Sequence, residues 1–270
     1  MEAWTDHVVY DNRDLGNLWL HLVESFETLV KKTATTKTRA ISPDQPEREL
    51  GDIENAIAAE LRALSHPNVA AIREVRRRFS KELAKSSAEW IVELALRIAR
   101  RPDIAPRFFA YELIQHHKLA LKSLTADSLE ALGEGNDSWE KVDTFACYLA
   151  GPVWREGQVA DKLIERWAGS PDRWWRRTAV VSTVPLNNKA RGGRGDTERT
   201  LRICEMLIDD RDDMVVKALS WALRELSKRD SKPVHKFLQE HVDRLAPRVV
   251  REVKNKLQTG LKNPRAERLH

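Results

Sequence analysis

A chain of 270 residues, 41% hydrophobic and 32% charged, can bury one substantial core or a row of smaller ones beneath a heavily solvated surface. Its two cysteines, Cys147 and Cys204, stand in no CxxC pattern, which excludes a disulfide framework and a cysteine zinc site and points to a reducing compartment. The net charge of +5 divides unevenly: residues 1–170 hold 23 Lys and Arg against 27 Asp and Glu, whereas 171–270 hold 23 against 14, so the second part invites a polyanion or presents a plain solvated basic surface.

At the start of the chain, residues 1–10 carry no apolar region of signal-peptide type, and nowhere do about 18 apolar residues run together to span a membrane. The expected address is therefore cytoplasmic, with nucleoid association in a bacterium. From Asp11 to Lys32, Leu15, Leu18, Trp19, Leu22, Phe26, Leu29 and Val30 recur at helical spacing, predicting an amphipathic helix. A Thr-rich stretch broken by Pro43 and Pro46 follows and reads as a linker.

From Glu47 onward the pattern is almost wholly helical. Helices are expected at Glu47–Leu64, Val69–Leu83, Ala88–Arg100, Ala105–Leu121, Ala126–Leu132, Ser138–Ala150, Gln158–Ala168, Pro171–Pro185, Thr197–Ile208, Asp213–Lys228, Pro233–Val242 and Pro247–Thr259. Short helices on short connectors, each with one apolar stripe and no period-2 run between them, predict an all-α fold: a superhelical solenoid of HEAT-like antiparallel helix pairs. The expected organisation is an N-terminal helical extension and linker over residues 1–46, the repeat domain over 47–260, and a C-terminal tail over 261–270.

Four segments hold residues that could carry chemistry. In DSWEKVDTFACYLA, residues 137–150, Asp137 suits an N-cap with Glu140 as its capping-box partner. Trp139 and Asp143 then share a helix face with the small residues Ala146, Cys147 and Ala150. A carboxylate in that position must be paired or face water, so Asp143 either opens onto a cleft or is neutralised inside the protein by Arg177, with Trp139 then a packing residue at a repeat joint. In DRWWRRTAVVSTVPL, residues 172–186, Arg177 projects from a mostly apolar strip, where it serves a buried anion, either a carboxylate of the protein or a phosphate from outside. Its neighbour Arg176 turns toward Asp172 and Thr183. In the helix after Asp213, Trp221 stands off the core stripe among Lys217, Arg224 and Lys228, as an indole for a nucleic-acid surface or for packing against the next repeat.

The connector NNKARGGRGDTER, residues 187–199, carries Lys189, Arg191, Arg194 and Arg199. It lacks the order of a phosphate-binding P-loop and reads as a mobile basic finger or as a long repeat connector. The run Arg76, Arg77 and Arg78 is expected on a solvated helix face. The eight histidines form no HExxH pattern, His116 and His117 point to different faces, and no nucleophile-elbow signature occurs, so neither a metal or other cofactor nor covalent serine chemistry is expected.

Together, NDSWEKVD (136–143), WWRRTAVVSTVPL (174–186) and VVKALSWALREL (215–226) resemble the DNA alkylation repair family of HEAT-like alkylpurine DNA glycosylases, the AlkD type. HPNVAAIREVRRRFSKEL (66–83) and FFAYELIQHH (108–117) resemble the family's earlier helices, and the likeness covers residues 47–245. The resemblance implies an enzyme that cups double-stranded DNA on a basic concave face and hydrolyses the N-glycosidic bond of cationic N3- or N7-alkylated purines, without flipping the lesion into a deep pocket. It further implies that Trp139 and Trp221 are cleft indoles, Asp143 the catalytic carboxylate and Arg177 a cleft arginine. On the same resemblance Arg177 would anchor a backbone phosphate, with Arg176, Lys189, Arg191, Arg194, Lys217, Arg224 and Lys228 making further DNA contacts. The expected partner is duplex DNA containing alkylated bases, bound by a monomer. Relatives that have lost the cleft residues only bind DNA, so a non-catalytic protein for damaged or branched DNA is the alternative. The N-terminal extension and the longer connector after Leu186 depart from the family pattern.

Overall fold

The computed structural model describes residues 50–264, so the helix expected at Asp11–Lys32, its linker and the end of the expected tail lie outside the described residues. The described residues contain helices and no strand, as the sequence predicts. The helices are α1 (Leu50–Arg62), α2 (Val69–Glu82), α3 (Ala88–Arg100), α4 (Arg107–Gln115), α5 (Lys118–Ser123), α6 (Ala126–Gly133) and α7 (Trp139–Phe145). A π turn (Ala146–Ala150) leads directly into α8 (Gly151–Arg155). Then come α9 (Asp161–Ala168), α10 (Arg173–Ser182), α11 (Val184–Asn187), a 3-10 turn (Lys189–Arg191), α12 (Thr197–Met206), α13 (Asp213–Leu226), α14 (Ser231–Glu240) and α15 (Pro247–Thr259).

Successive helices pair, α1 with α2, α3 with α4, α6 with α7, α9 with α10, α12 with α13 and α14 with α15. The second members also touch in order, α2 to α4 to α7 to α10 to α13 to α15, which makes one continuous file. The first members form the other file, closed between α6 and α9 by the Trp167 indole donating to Glu130 at 3.0 Å. The apolar stripes meet between the files in one core that runs from Ile53 to Val253. Each file thus lends one outward face to solvent, and the candidate residues of the sequence all fall on the second members or their connectors.

Several helix ends differ from expectation for definable reasons. The helix expected at Ala105–Leu121 is two, because His117 is extended at φ −111°, ψ 98° and its Nδ1 accepts from the Ala120 amide at 3.1 Å, capping α5. Asp137 does not cap α7. Ser138 is the residue at that position and makes no side-chain cap bond, while Asp137 pairs with Lys141 at 2.7 Å. Likewise the helix expected to begin at Pro171 begins at Arg173: Asp172 caps it, accepting from the Trp174 amide at 2.9 Å.

The helix expected to stop at Ala150 continues to Arg155 through the π turn. Pro152 accounts for the π turn: its nitrogen has no hydrogen to give, and its ring would press on the carbonyl four residues back, a conflict that a wider turn relieves. Gly151 sits in this bend because a Cβ there would come within 2.7 Å of the Ser182 carbonyl, so its absence lets α8 close on the end of α10. The helix carrying Asp143 is thereby drawn against the helix carrying Arg177.

Candidate active site

Asp143 and Arg177 form a bidentate pair. The guanidinium donates Nε to Oδ1 at 2.9 Å and Nη2 to Oδ2 at 2.8 Å. Its remaining terminal nitrogen donates to the Met214 carbonyl in the first turn of α13. The Arg177 side chain is 6% exposed and that of Asp143 18%, so the arginine is consumed within the protein while the aspartate side chain retains some exposure. Of the two anions left open for Arg177, the structure supplies the internal carboxylate. Three of its five N–H donors are engaged within the protein and the side chain is buried, so the expectation that Arg177 anchors a phosphate finds no open guanidinium to rest on.

The start of each helix fixes this geometry. Asp172 and Asp212 cap α10 and α13, the latter by accepting from the Met214 amide at 2.9 Å. Arg176 ties the two starts together, giving Nε to Asp210 at 2.7 Å and its Nη1 to the carbonyls of Ser170 and Pro171. Asp210 in turn accepts from the Asp212 amide at 2.8 Å. Arg176 thus turns to Asp210 rather than toward Asp172 and Thr183, and serves the loop that holds Met214 in reach of Arg177.

Removal of its carboxylate from water pushes the Asp143 pKa upward, against the hydrogen bonds and charge of Arg177. Glu140 adds to the upward push and Arg191 opposes it. The two-pronged guanidinium contact is the geometry of a carboxylate, with one oxygen on each prong. Cys147, one turn further along, is buried, and burial pushes its thiol up to about 12, so it is no nucleophile.

Trp139 stands one turn before Asp143 and is 51% exposed, an unusual position for a large indole and one that suits a ligand surface. Trp221 on α13 is half-buried and packs against the core, so it is less open than its place off the stripe suggests. Trp139 and Asp143, Arg177, and Trp221 occupy three successive helices of one file.

The other basic residues separate into engaged and open groups. Lys217 pairs with Asp213 at 2.7 Å, Lys228 with Glu225 at 2.8 Å, and Arg224 donates to Ser220 at 3.2 Å close to Glu252. The connector is pinned rather than a mobile finger. Gly193 and Gly195 donate to the carbonyls of Asn188 and Leu186 at 2.8 and 2.9 Å, and Arg155 and Arg229 clasp it through its carbonyls. Lys189, Arg191 and Arg194 remain exposed on it, Arg194 near Glu156 at 3.4 Å.

Three residues without a local sequence signature complete this face. Glu112, buried on α4, accepts from Arg73 at 2.7 Å and from Arg76 at 3.2 Å. Arg76 is 6% exposed, so the expected solvated face of the Arg76–Arg77–Arg78 run holds only for the other two. Arg73 also donates to the hydroxyl of Tyr148, in the π turn, at 3.3 Å. A glutamate in the middle of the apolar run FFAYELI was the nearest available signal, since it must be paired to be buried.

Among the described residues no group of His, Cys, Asp and Glu could hold a metal ion. No curated protein matches the chain. One family does: that described as DNA alkylation repair enzyme matches residues 59–257, a span that includes Arg73, Glu112, Trp139, Asp143, Arg177 and Trp221. The chain belongs to this DNA alkylation repair enzyme family, and its role is in the repair of alkylated DNA.

Proposed function

We propose that the protein is a DNA glycosylase of base excision repair, hydrolysing the N-glycosidic bond of purines made cationic by alkylation at N3 or N7 in duplex DNA. The observation that carries this reading is the Asp143 carboxylate, fixed by two hydrogen bonds from Arg177 on a side chain that keeps some exposure, one helical turn from the exposed Trp139.

An alkylated purine already bears the positive charge that makes it a good leaving group, so a strong general acid is unnecessary. When the bond from C1′ breaks, its electron pair neutralises the base and positive charge develops on the sugar. Asp143 stabilises that charge without reorganising, because Arg177 holds both oxygens in place, and the carboxylate orients the water that attacks C1′. The water oxygen bonds to C1′ and its proton passes to the carboxylate or to solvent. Trp139, and the open edge of Trp221, hold the cationic nucleotide through their ring faces. Arg177 is on this account a positioning residue. The two files of helices would be the faces of a superhelical solenoid, with the duplex along the file that bears Asp143.

The test is release of 7-methylguanine or 3-methyladenine from methylated duplex DNA. Wild type releases base, and Asp143→Asn lowers the rate by about two to three orders of magnitude, the loss typical of removing one transition-state stabiliser, while duplex binding persists. Absence of release by the wild type at low salt removes the enzyme reading. Binding of branched or damaged DNA without base loss, indifferent to Asp143→Asn, would support the non-catalytic alternative, for which the self-neutralised Asp143–Arg177 pair needs no substrate.

A further inference from the structure

The Asp143–Arg177 pair is neutral as a whole, so it offers a polyanion no net attraction. The attraction must come from cations close by whose surroundings keep a net positive charge. Two converge on one side chain. Tyr148, on the turn after Asp143, receives a hydrogen bond at its hydroxyl from Arg73 of α2 at 3.3 Å, while the Arg191 guanidinium lies over its ring, 5.2 Å from the centroid. These two arginines are 118 positions apart in sequence and meet only through the fold.

Both are held in place by other groups. Glu112 grips Arg73 from inside, and Arg76 on the same carboxylate leaves the cluster with two cations to one anion. Phe108 lies beneath the Arg73 guanidinium at 5.8 Å. Arg191 sits on a loop whose carbonyl at the same residue is fastened by Arg155 at 2.6 Å. Among the described residues its guanidinium has no carboxylate partner, and its charge is felt by both Asp143 and Cys147. A preorganised fork of guanidinium donors around a phenol, with excess positive charge, is suited to a phosphate.

We propose that Arg73, Tyr148 and Arg191 form a phosphodiester-binding subsite that grips the duplex backbone beside the nucleotide facing Asp143. It rests on the DNA-directed reading above and assigns the anchoring that Arg177 does not supply. Arg73 and Arg191 each neutralise backbone charge, and Tyr148 sets their separation.

The experiment measures binding of the full chain to a short unmodified duplex over a range of salt concentrations, so that no turnover intervenes. Removing one cation from a backbone phosphate reduces the slope of log affinity against log salt by about 0.9, because one fewer counterion is released on binding. Arg191→Ala is expected to lower the slope by that amount, Arg191→Lys to restore it, and the double variant with Arg73→Ala to lower it by about 1.8. Tyr148→Phe, which keeps the ring and frees Arg73, weakens binding with little change in slope. Because Arg191 is exposed on a loop fastened by other side chains, its variants test the subsite even if Arg73→Ala unfolds the protein. If wild type releases methylated base and the Arg191→Ala slope is unchanged, the subsite is refuted and the glycosylase reading stands. If wild type binds no duplex at low salt, both fall together.

Discussion

Two arginine–carboxylate clusters lie on the same file of helices, and they differ in stoichiometry. At Asp143 one arginine meets one carboxylate through both oxygens and the charge closes to zero, with the acid the more exposed partner, 18% against 6%. At Glu112 two arginines meet one carboxylate, the acid is buried at 4%, and a cation, Arg73, is the exposed member at 38%. The same pairing chemistry therefore presents an anion to solvent in one place and a cation in the other. What decides is which partner the backbone leaves at the surface.

The largest expected effect separates the two clusters by breaking each. Arg177→Met strands Asp143 without a partner in a mostly dry position, and should cost about 3 to 5 kcal/mol of stability in urea unfolding. Restoring neutrality with Asp143→Asn in the same chain should recover much of that loss. Arg76→Met leaves Glu112 still held by Arg73 at 2.7 Å, so the loss should be nearer to that of one charged hydrogen bond, about 1.5 to 3 kcal/mol. Equal losses at the two sites would erase the distinction.

The pH dependence of base release sharpens the comparison further. On the glycosylase reading Asp143 works as the ionised carboxylate, and burial raises its pKa, so release should fall with acidity through a limb that lies above the ordinary aspartate range. Arg177→Met removes the opposing hydrogen bonds and charge, and the limb should move to still higher pH. Arg73→Ala, acting at the other cluster, should leave the limb in place. Rates measured between weakly acid and neutral pH with the three proteins decide it, and an unmoved limb in Arg177→Met would disconnect Arg177 from the carboxylate.

How much of this the sequence disclosed follows from the range of each interaction. Helical periodicity is local, so the all-α architecture and spans such as Ala88–Arg100 and Pro247–Thr259 agree with expectation to the residue. Trp139 and Asp143 are one turn apart on one helix, and their shared face was legible for that reason. The partner of Arg177 was legible only as one of two options: an ion pair with Asp143 or a phosphate from outside fitted the sequence equally, and the fold, across 34 positions, brings Asp143 into reach. The Arg73–Tyr148–Arg191 convergence has no local signature at all. Helix continuity past Gly151 was not anticipated: proline disfavours a helix interior, whereas here a widened turn accommodates it.

The smallest expected effect tests whether burial rather than residue type governs the arginine run of α2. Arg77 pairs with Glu74 and Arg78 with Glu60, both contacts between exposed side chains, whereas Arg76 one position earlier is buried on Glu112. Exposed pairs gain little, because water screens the attraction and two long side chains lose freedom. Arg77→Ala and Arg78→Ala should therefore each shift stability by no more than about 0.5 kcal/mol, several-fold less than Arg76→Met. Since both are cations on the file that bears Asp143, the same variants also bound the reach of the duplex. If their salt slopes match wild type, the phosphate-binding part of α2 is confined to the side of the helix where Arg73 meets Tyr148. A slope lowered by about 0.9 in either would extend the duplex over the outer face of α2.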